Sequence, residues 1–141
     1  MIELVELNEL AEMIPPKCRL AIPADYSGVA MALTRAIIRH RVHGLELLCV
    51  PTSAMQADLL IGAGCVAAIE TSAVTMGELG RAPCFSRAVE RGEIVILDST
   101  CPAVHAALQA SEKGIPFIPL RGLIGSDVQR RRTDWQIIQN P

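Results

Sequence analysis

The sequence predicts an α/β protein with an open, mostly parallel sheet flanked by helices. Short apolar runs alternate along the chain with segments of helical periodicity, which is the pattern of a parallel sheet. Aromatic residues make up only 3% of the chain, so Val, Ile, Leu and Ala must build the core, as they do in buried parallel strands. With 141 residues, half of them hydrophobic, the chain is long enough for a single domain, 1–141, with its own core.

The predicted elements follow the apolar runs in order. An N-terminal segment, 1–17, has moderate helical character and is stopped by Pro15 and Pro16. Five runs are predicted strands: 18–23, 45–50, 65–69, 94–97 and 115–118. The predicted helices cover about 29–43, with Asp25 or Ser27 as cap and Gly44 as stop, then 54–63, 84–91 ending at Gly92, and 102–113, with Thr100 or Cys101 as cap and Gly114 as stop.

Polar residues follow each predicted strand. They are Asp25 and Ser27, Thr52 and Ser53, Thr71 and Ser72, Asp98 and Ser99, and the loop 121–127. Because ligands bind beyond the carboxyl ends of strands in open parallel sheets, this edge is the predicted site. The alternative is that turns and helix caps use the same residue types.

The loop 121–127 is the most distinctive candidate, and its predicted substrate-binding residues are Arg121, Gly122, Gly125, Ser126 and Asp127. Glycines let backbone amides approach a ligand, and Arg can hold a carboxylate through two hydrogen bonds. Ser72, after the third strand, is a further predicted contact. The alternative for the loop is an ordinary turn in which Ser126 or Asp127 caps the next helix.

Three other features bear on chemistry. Glu78 lies between two glycines and is a candidate catalytic or substrate-orienting acid, with a solvated loop charge as the alternative. Cys101 and His105 would share one helical face, but no acid is placed to orient the imidazole, so a thiol nucleophile is disfavoured. Gly62 and Gly64 follow a helix, which is the wrong context for a phosphate cradle.

Composition argues against several classes of protein and of binding site. A net charge of −2 disfavours a nucleic-acid binder, and the run 130–132 is interpreted as a solvated basic turn. Five widely spaced cysteines predict neither a disulfide framework nor a metal site. The absence of a leader-like or membrane-length apolar segment predicts a cytoplasmic protein without membrane association.

Four blocks occur in a fixed order: 58–64, then 77–83 with 85–92, then 114–119, then 121–127. In this order they resemble the alpha subunit of family I coenzyme A transferases, with the glutaconate CoA-transferase branch as the nearest likeness. The resemblance spans about 18–140 and is more specific than any one block. It implies a CoA-transferase/NagB-like half-domain amounting to about half of an alpha subunit.

The resemblance also implies an activity. It is the transfer of CoA between carboxylic acids, with CoA and acyl-CoA as substrates and with no permanently bound cofactor. The nucleophile would be a glutamate of a partner B-type subunit, while the alpha subunit would contribute part of the acyl pocket. A homo- or hetero-oligomer is therefore expected.

The alternative is a non-catalytic, truncated relative that serves assembly or ligand binding. Pro23, Ala24 and Asp25 stand where family members carry a Gly-Gly-Phe-like turn. Pro removes an amide donor and Ala does not adopt glycine dihedrals, so the role of that turn would be lost. One relative in the family hydrolyses a ring carbon–carbon bond of a steroid-derived CoA thioester, so the fold does not fix the reaction.

Overall fold

The computed structural model describes residues 4–139, and its centre is a four-stranded, all-parallel sheet. The strands lie in the order of the sequence: β1 Arg19–Ile22, β2 Leu45–Cys49, β3 Val66–Thr71 and β4 Val95–Asp98. Each pairs in parallel with the next. The predicted α/β class and parallel sheet are confirmed.

Six helices and one 3₁₀ turn of the described residues connect and flank the strands. They are α1 Leu7–Glu12, α2 Met31–Arg39, α3 Met55–Gly62, the 3₁₀ turn Gly77–Leu79, α4 Pro83–Arg91, α5 Cys101–Lys113 and α6 Asp127–Arg131. The first four helices pack side by side in sequence order. They form one layer because each strand joins the adjacent parallel strand through a helix on the same face.

The main core lies between this helical layer and one face of the sheet. Alternate residues of a strand point to opposite faces, and Leu45, Leu47 and Cys49 of β2 are fully buried in this core. Ile37 of α2 and Leu60 of α3 pack in the same cluster. The residues between them on the strands, including Glu46 and Glu70, therefore point to the opposite face.

The second face of the sheet is covered differently. Helix α5 contacts β3, and its buried side chains are small: Ala103, Val104, Ala106 and Ala110. Arg19 and Glu70 line the same cavity as this helix, so α5 lies on the face opposite the main core. Helix α5 and the C-terminal segment 115–139, which includes the short helix α6, thus cover this face, against four helices on the other.

Several predicted helix ends are confirmed by backbone geometry. Gly92 and Gly114 end α4 and α5 in the left-handed conformation. Thr100 caps α5, since its hydroxyl accepts a hydrogen bond from the Ala103 amide at 3.4 Å.

The predicted cap and stop of α2 were wrong. Helix α2 begins at Met31 and ends at Arg39, without a side-chain cap and before Gly44. The Asp25 carboxylate instead accepts hydrogen bonds from the amides of Ala54 at 2.9 Å and Met55 at 3.5 Å. It caps α3, because the parallel sheet brings the turn after β1 against the turn after β2, where α3 begins.

The predicted fifth strand, 115–118, was also wrong. This run is irregular, and its residues are largely exposed. Pro116 and Pro119 lack the N–H groups that a ladder requires, so the run is a poor strand unless a neighbour pairs with the remaining groups. None of the four strands of the described residues pairs with it. An apolar composition alone therefore does not make this run a strand.

Candidate functional site

The carboxyl ends of β3 and β4 bring together one predicted residue and one cysteine. The Ser99 amide donates to the Thr71 carbonyl at 3.0 Å, which joins the two strand ends. Directly beyond them, Ser72 Oγ lies 3.4 Å from Cys101 Sγ, and both residues are exposed. This pair presents a hydroxyl and a thiol at the predicted edge.

Glu78 lies in the 3₁₀ turn that follows β3, where its side chain is exposed. The Thr75 hydroxyl shapes this loop, since it donates to the Gly80 carbonyl at 2.9 Å and accepts from the Gly77 amide at 3.1 Å. A Cβ atom added at Gly77 would lie 3.7 Å from the Tyr26 hydroxyl. The loop of Glu78 therefore lies beside the turn that follows β1.

Tyr26 was not predicted as a site residue. It is 96% exposed, although a tyrosine ring is normally at least partly buried. It borders a cavity of about 320 Å³ whose other lining residues are Asp25, Gly28, Val29, Met31 and Met55. Its position in a polar turn after a predicted strand was the available signal, and scarce aromatics made it more informative.

The loop 121–127 is partly a helix cap. The Ser126 hydroxyl accepts from the Gln129 amide at 3.2 Å and donates to the Leu123 carbonyl at 2.7 Å. Asp127 pairs with Arg130 on the exposed side of α6. The capping alternative therefore accounts for Ser126, whereas Arg121 makes no ion pair within residues 4–139.

The structure separates this loop from the other predicted residues. Arg121 lines a groove between α5 and the C-terminal segment 115–139, which neither Ser72 nor Glu78 lines. The groove has a volume of about 1150 Å³. Its floor is the alanine face of α5, and its walls include Phe117, Ile124 and Trp135.

A buried ion cluster that the sequence did not predict includes two carboxylates of the groove lining, Glu70 and Asp134. Arg132 Nη1 donates to Glu70 Oε1 at 2.9 Å and to the Asp98 carbonyl at 3.0 Å. Its Nε and Nη2 donate to the two oxygens of Asp134 at 2.8 and 2.7 Å. The guanidinium also lies 4.3 Å from the ring centre of Trp135, within cation–π range.

The interpretation of 130–132 as a solvated basic turn was therefore wrong for Arg132. Burial opposes its charge, but hydrogen bonds to Asp134 and Glu70 outweigh burial and raise the pKa of the guanidinium. The same hydrogen bond from Arg132 lowers the pKa of Asp134. No local signal distinguishes Arg132 from Arg131, which pairs with Asp98 at the surface.

The remaining titratable side chains considered for chemistry are two histidines and two cysteines, and each is buried or lies next to another protein group. His40 Nδ1 lies 3.7 Å from Glu12 of α1, and His43 Nδ1 lies 3.3 Å from the Arg41 carbonyl. Burial raises the pKa of the Cys49 thiol to about 12. Within residues 4–139, Cys101 has Ser72 rather than His105 as its hydrogen-bond partner.

Two classes of site are absent from the described part of the chain. Residues 4–139 contain no group of three or more His, Cys, Asp or Glu side chains arranged to hold a metal ion. None of the helices described there has the length and apolarity needed to cross a bilayer.

Sequence relatives match this chain over only part of their own length. The chain is 36% identical over 115 residues to an uncharacterized protein of Archaeoglobus fulgidus, matching 80% of this chain and 25% of that protein. It is 33% identical over 101 residues to the cholesterol ring-cleaving hydrolase IpdA subunit of Rhodococcus jostii, matching 71% of this chain and 33% of that protein. The chain thus spans a third or less of these relatives. No family model matches it.

Solved structures match the fold closely. The decarboxylase AibA/AibB superposes with a TM-score of 0.79 at 25% identity, over 92% of this chain and 50% of that one. Glutaconate coenzyme A-transferase of Acidaminococcus fermentans superposes with a TM-score of 0.82 at 19% identity, over 89% of this chain and 40% of that one. The resemblance predicted from the four sequence blocks is confirmed at the level of the fold.

Proposed function

Because the chain has the fold of about half a CoA-transferase-family subunit, we propose that it is an alpha-type component of an enzyme that moves CoA between carboxylic acids. The observation that carries the proposal is this fold together with exposed polar groups at the carboxyl edge of its sheet. Ser72, Glu78 and Tyr26 lie there without a packing role. Parallel sheets of this kind bind ligands at that edge.

The proposal places the nucleophile on a partner. A carboxylate nucleophile needs a site that excludes water and donors that stabilise the oxyanion. Glu78 is open to solvent within the described chain, and its environment provides neither. We assign the nucleophilic glutamate to a B-type subunit, with Glu78 orienting the substrate from this side of a shared interface.

The transfer would then take two half-reactions of two steps each. The partner's carboxylate attacks the acyl carbon of the acyl-CoA, and the C–S bond breaks. This releases the CoA thiolate and forms an acyl-glutamyl anhydride. The thiolate next attacks the glutamyl carbonyl, which releases the first carboxylate and leaves CoA as a glutamyl thioester. The second acid takes CoA by the reverse sequence. CoA is a substrate throughout.

This chain's residues would bind the substrate. Ser72 lies exposed at the carboxyl edge, where its hydroxyl, 3.4 Å from Cys101 Sγ, would also form a hydrogen bond to the substrate. In the loop 121–127, Arg121 and the amides of Gly122 and Gly125 are assigned to a carboxylate or thioester, while Ser126 and Asp127 hold the loop in shape through their observed contacts. The idea that Arg121 instead pairs with Asp98 or Asp127 has no support, since those carboxylates face Arg131 and Arg130.

The test is a transfer assay with this chain and a B-type subunit encoded nearby. CoA esters are followed by mass spectrometry after mixing an acyl-CoA with a second carboxylic acid. Arg121→Lys should lower kcat/KM by about ten- to a hundredfold, the range of a charged hydrogen bond, with an unchanged Tm. Arg39→Lys, an exposed arginine at the end of α2 and outside the groove, is the matched control.

A second candidate is a non-catalytic module for assembly or ligand binding. It is favoured by the turn after β1, where the Asp25 carboxylate is already engaged at the start of α3. This module would bind a CoA ester together with its partner and leave it unchanged. If the pair neither binds nor converts any CoA ester, both candidates fail.

A further inference from the structure

The groove beside α5 combines a small-residue floor with apolar walls. Ala103, Ala106, Ala107 and Ala110 line one side, where larger side chains would fill the space. Across from them, Phe117 and Ile124 are each 60% exposed. Ligand sites typically have volumes of roughly 300 to 1000 Å³ and mostly apolar linings, so about 1150 Å³ is ample for a small molecule.

Charge in the groove is largely neutralised from within. Arg19 pairs with Glu46, and Glu70 and Asp134 both pair with Arg132. Arg121 is the lining charge that has no ion pair in the described chain. The groove therefore presents apolar surface together with one arginine that makes no ion pair within residues 4–139, while the paired groups beside it carry one net negative charge.

We propose that the groove binds an amphiphilic carboxylate, with its alkyl body along the alanine face of α5 and its carboxylate on Arg121. A guanidinium holds a carboxylate through two hydrogen bonds, and the alkyl body covers apolar surface that is otherwise exposed to water. The inference deepens the proposed function, on which it rests for the identity of the ligand as an acyl group. It names that group as long and apolar.

Trp135 gives a direct measurement, because it is the one tryptophan of the sequence and it lines the groove. Decanoate is the probe, with decylammonium and decanol as the same chain bearing a positive or a neutral end. Decanoate should change Trp135 emission with saturation and bind at least tenfold more tightly than decylammonium. Decanol should bind with intermediate affinity.

Two variants locate the ligand. Arg121→Gln should weaken decanoate about tenfold and leave decanol unchanged, because only the charged contact is lost. Ala107→Leu should weaken both probes by filling the groove, while Arg81→Gln should change neither. Far-ultraviolet circular dichroism of each variant checks that it is folded.

Three results would overturn the inference. The first is no saturable change with decanoate, and the second is equal affinity for decanoate and decylammonium. The third is a stable dimer in light scattering that Phe117→Asp dissociates, because a second copy would then occupy the groove. If decanoate binds but the transfer assay shows no activity, the proposed function is rejected and the groove remains a binding site. If transfer is observed but decanoate does not bind, only the assignment of the groove is rejected.

Discussion

Arg132 and Glu70 form an ion pair across 62 positions of sequence, with 2.9 Å between Nη1 and Oε1 and with both side chains buried. The pair attaches the segment after α6 to β3 of the sheet. The same guanidinium donates to the Asp98 carbonyl of β4, so one side chain ties this segment to two strands.

Arg132→Ala should therefore destabilise the protein by about 3–5 kcal/mol, because it leaves the Glu70 carboxylate buried without its main partner. Urea denaturation followed by circular dichroism measures the change. Arg131→Ala is the matched control, since that arginine pairs with Asp98 at the surface and should cost at most about 1 kcal/mol. Equal losses in the two variants would contradict the role assigned to the buried pair.

Asp134 should make the free energy of unfolding depend on pH in the acidic range. The hydrogen bond from Arg132 lowers the pKa of Asp134 in the folded state, so its contribution is fully present above the ordinary aspartate pKa of about 4. The contribution is lost as pH falls through the lower, folded-state pKa. Asp134 is half-exposed, so solvent screening keeps the effect to about 1 kcal/mol or less.

Denaturation of the protein and of Asp134→Asn at several pH values measures this contribution. The variant should be less stable at neutral pH, and the difference between the two proteins should shrink as the pH falls toward about 3. A difference that stays constant over this range would show that the carboxylate charge is not the cause.

The cysteines should differ widely in reactivity. Cys101 is exposed, whereas Cys49 is buried with a pKa raised to about 12. Because the thiolate is the reactive form, iodoacetamide at neutral pH should label Cys101 first and leave Cys49 unmodified until the protein unfolds. Peptide mass spectrometry over time, with and without urea, gives the order, and early labelling of Cys49 would be the contrary result.

Gly62 should not tolerate a side chain. An added Cβ atom would lie 2.6 Å from Cys84 Sγ, where α3 and α4 pack against each other. Gly62→Ala should cost about 1–3 kcal/mol through overpacking. In the Cys84→Ala background the penalty should be smaller, because the nearest atom has been removed.

Gly122→Ala is the control for this experiment, since a Cβ atom there would meet nothing within 4 Å. Its stability should lie within about 0.5 kcal/mol of the parent. If both alanine variants were equally stable, close packing would not be the reason for glycine at position 62.

The sequence by itself determined the parallel α/β architecture, because apolar runs and helical periodicity are local patterns that each element carries alone. It also placed the left-handed stops at Gly92 and Gly114 and the Thr100 cap, where the physical requirement lies within a few residues. The four ordered blocks predicted the resemblance that the fold confirms. For the residues of the loop 121–127, the local pattern left both a cap and a site open.

Only the tertiary structure decided features that depend on distant partners. Arg131 and Arg132 are identical in local pattern, yet only Arg132 is buried, where it pairs with Glu70. The C-terminal segment lies opposite α5 across the groove that Arg121 lines and that Ser72 and Glu78 do not. The run 115–118 has the composition of a strand but no described strand beside it to pair with. Burial, ion pairing and strand formation each require a second surface, and a single stretch of sequence does not specify which surface that will be.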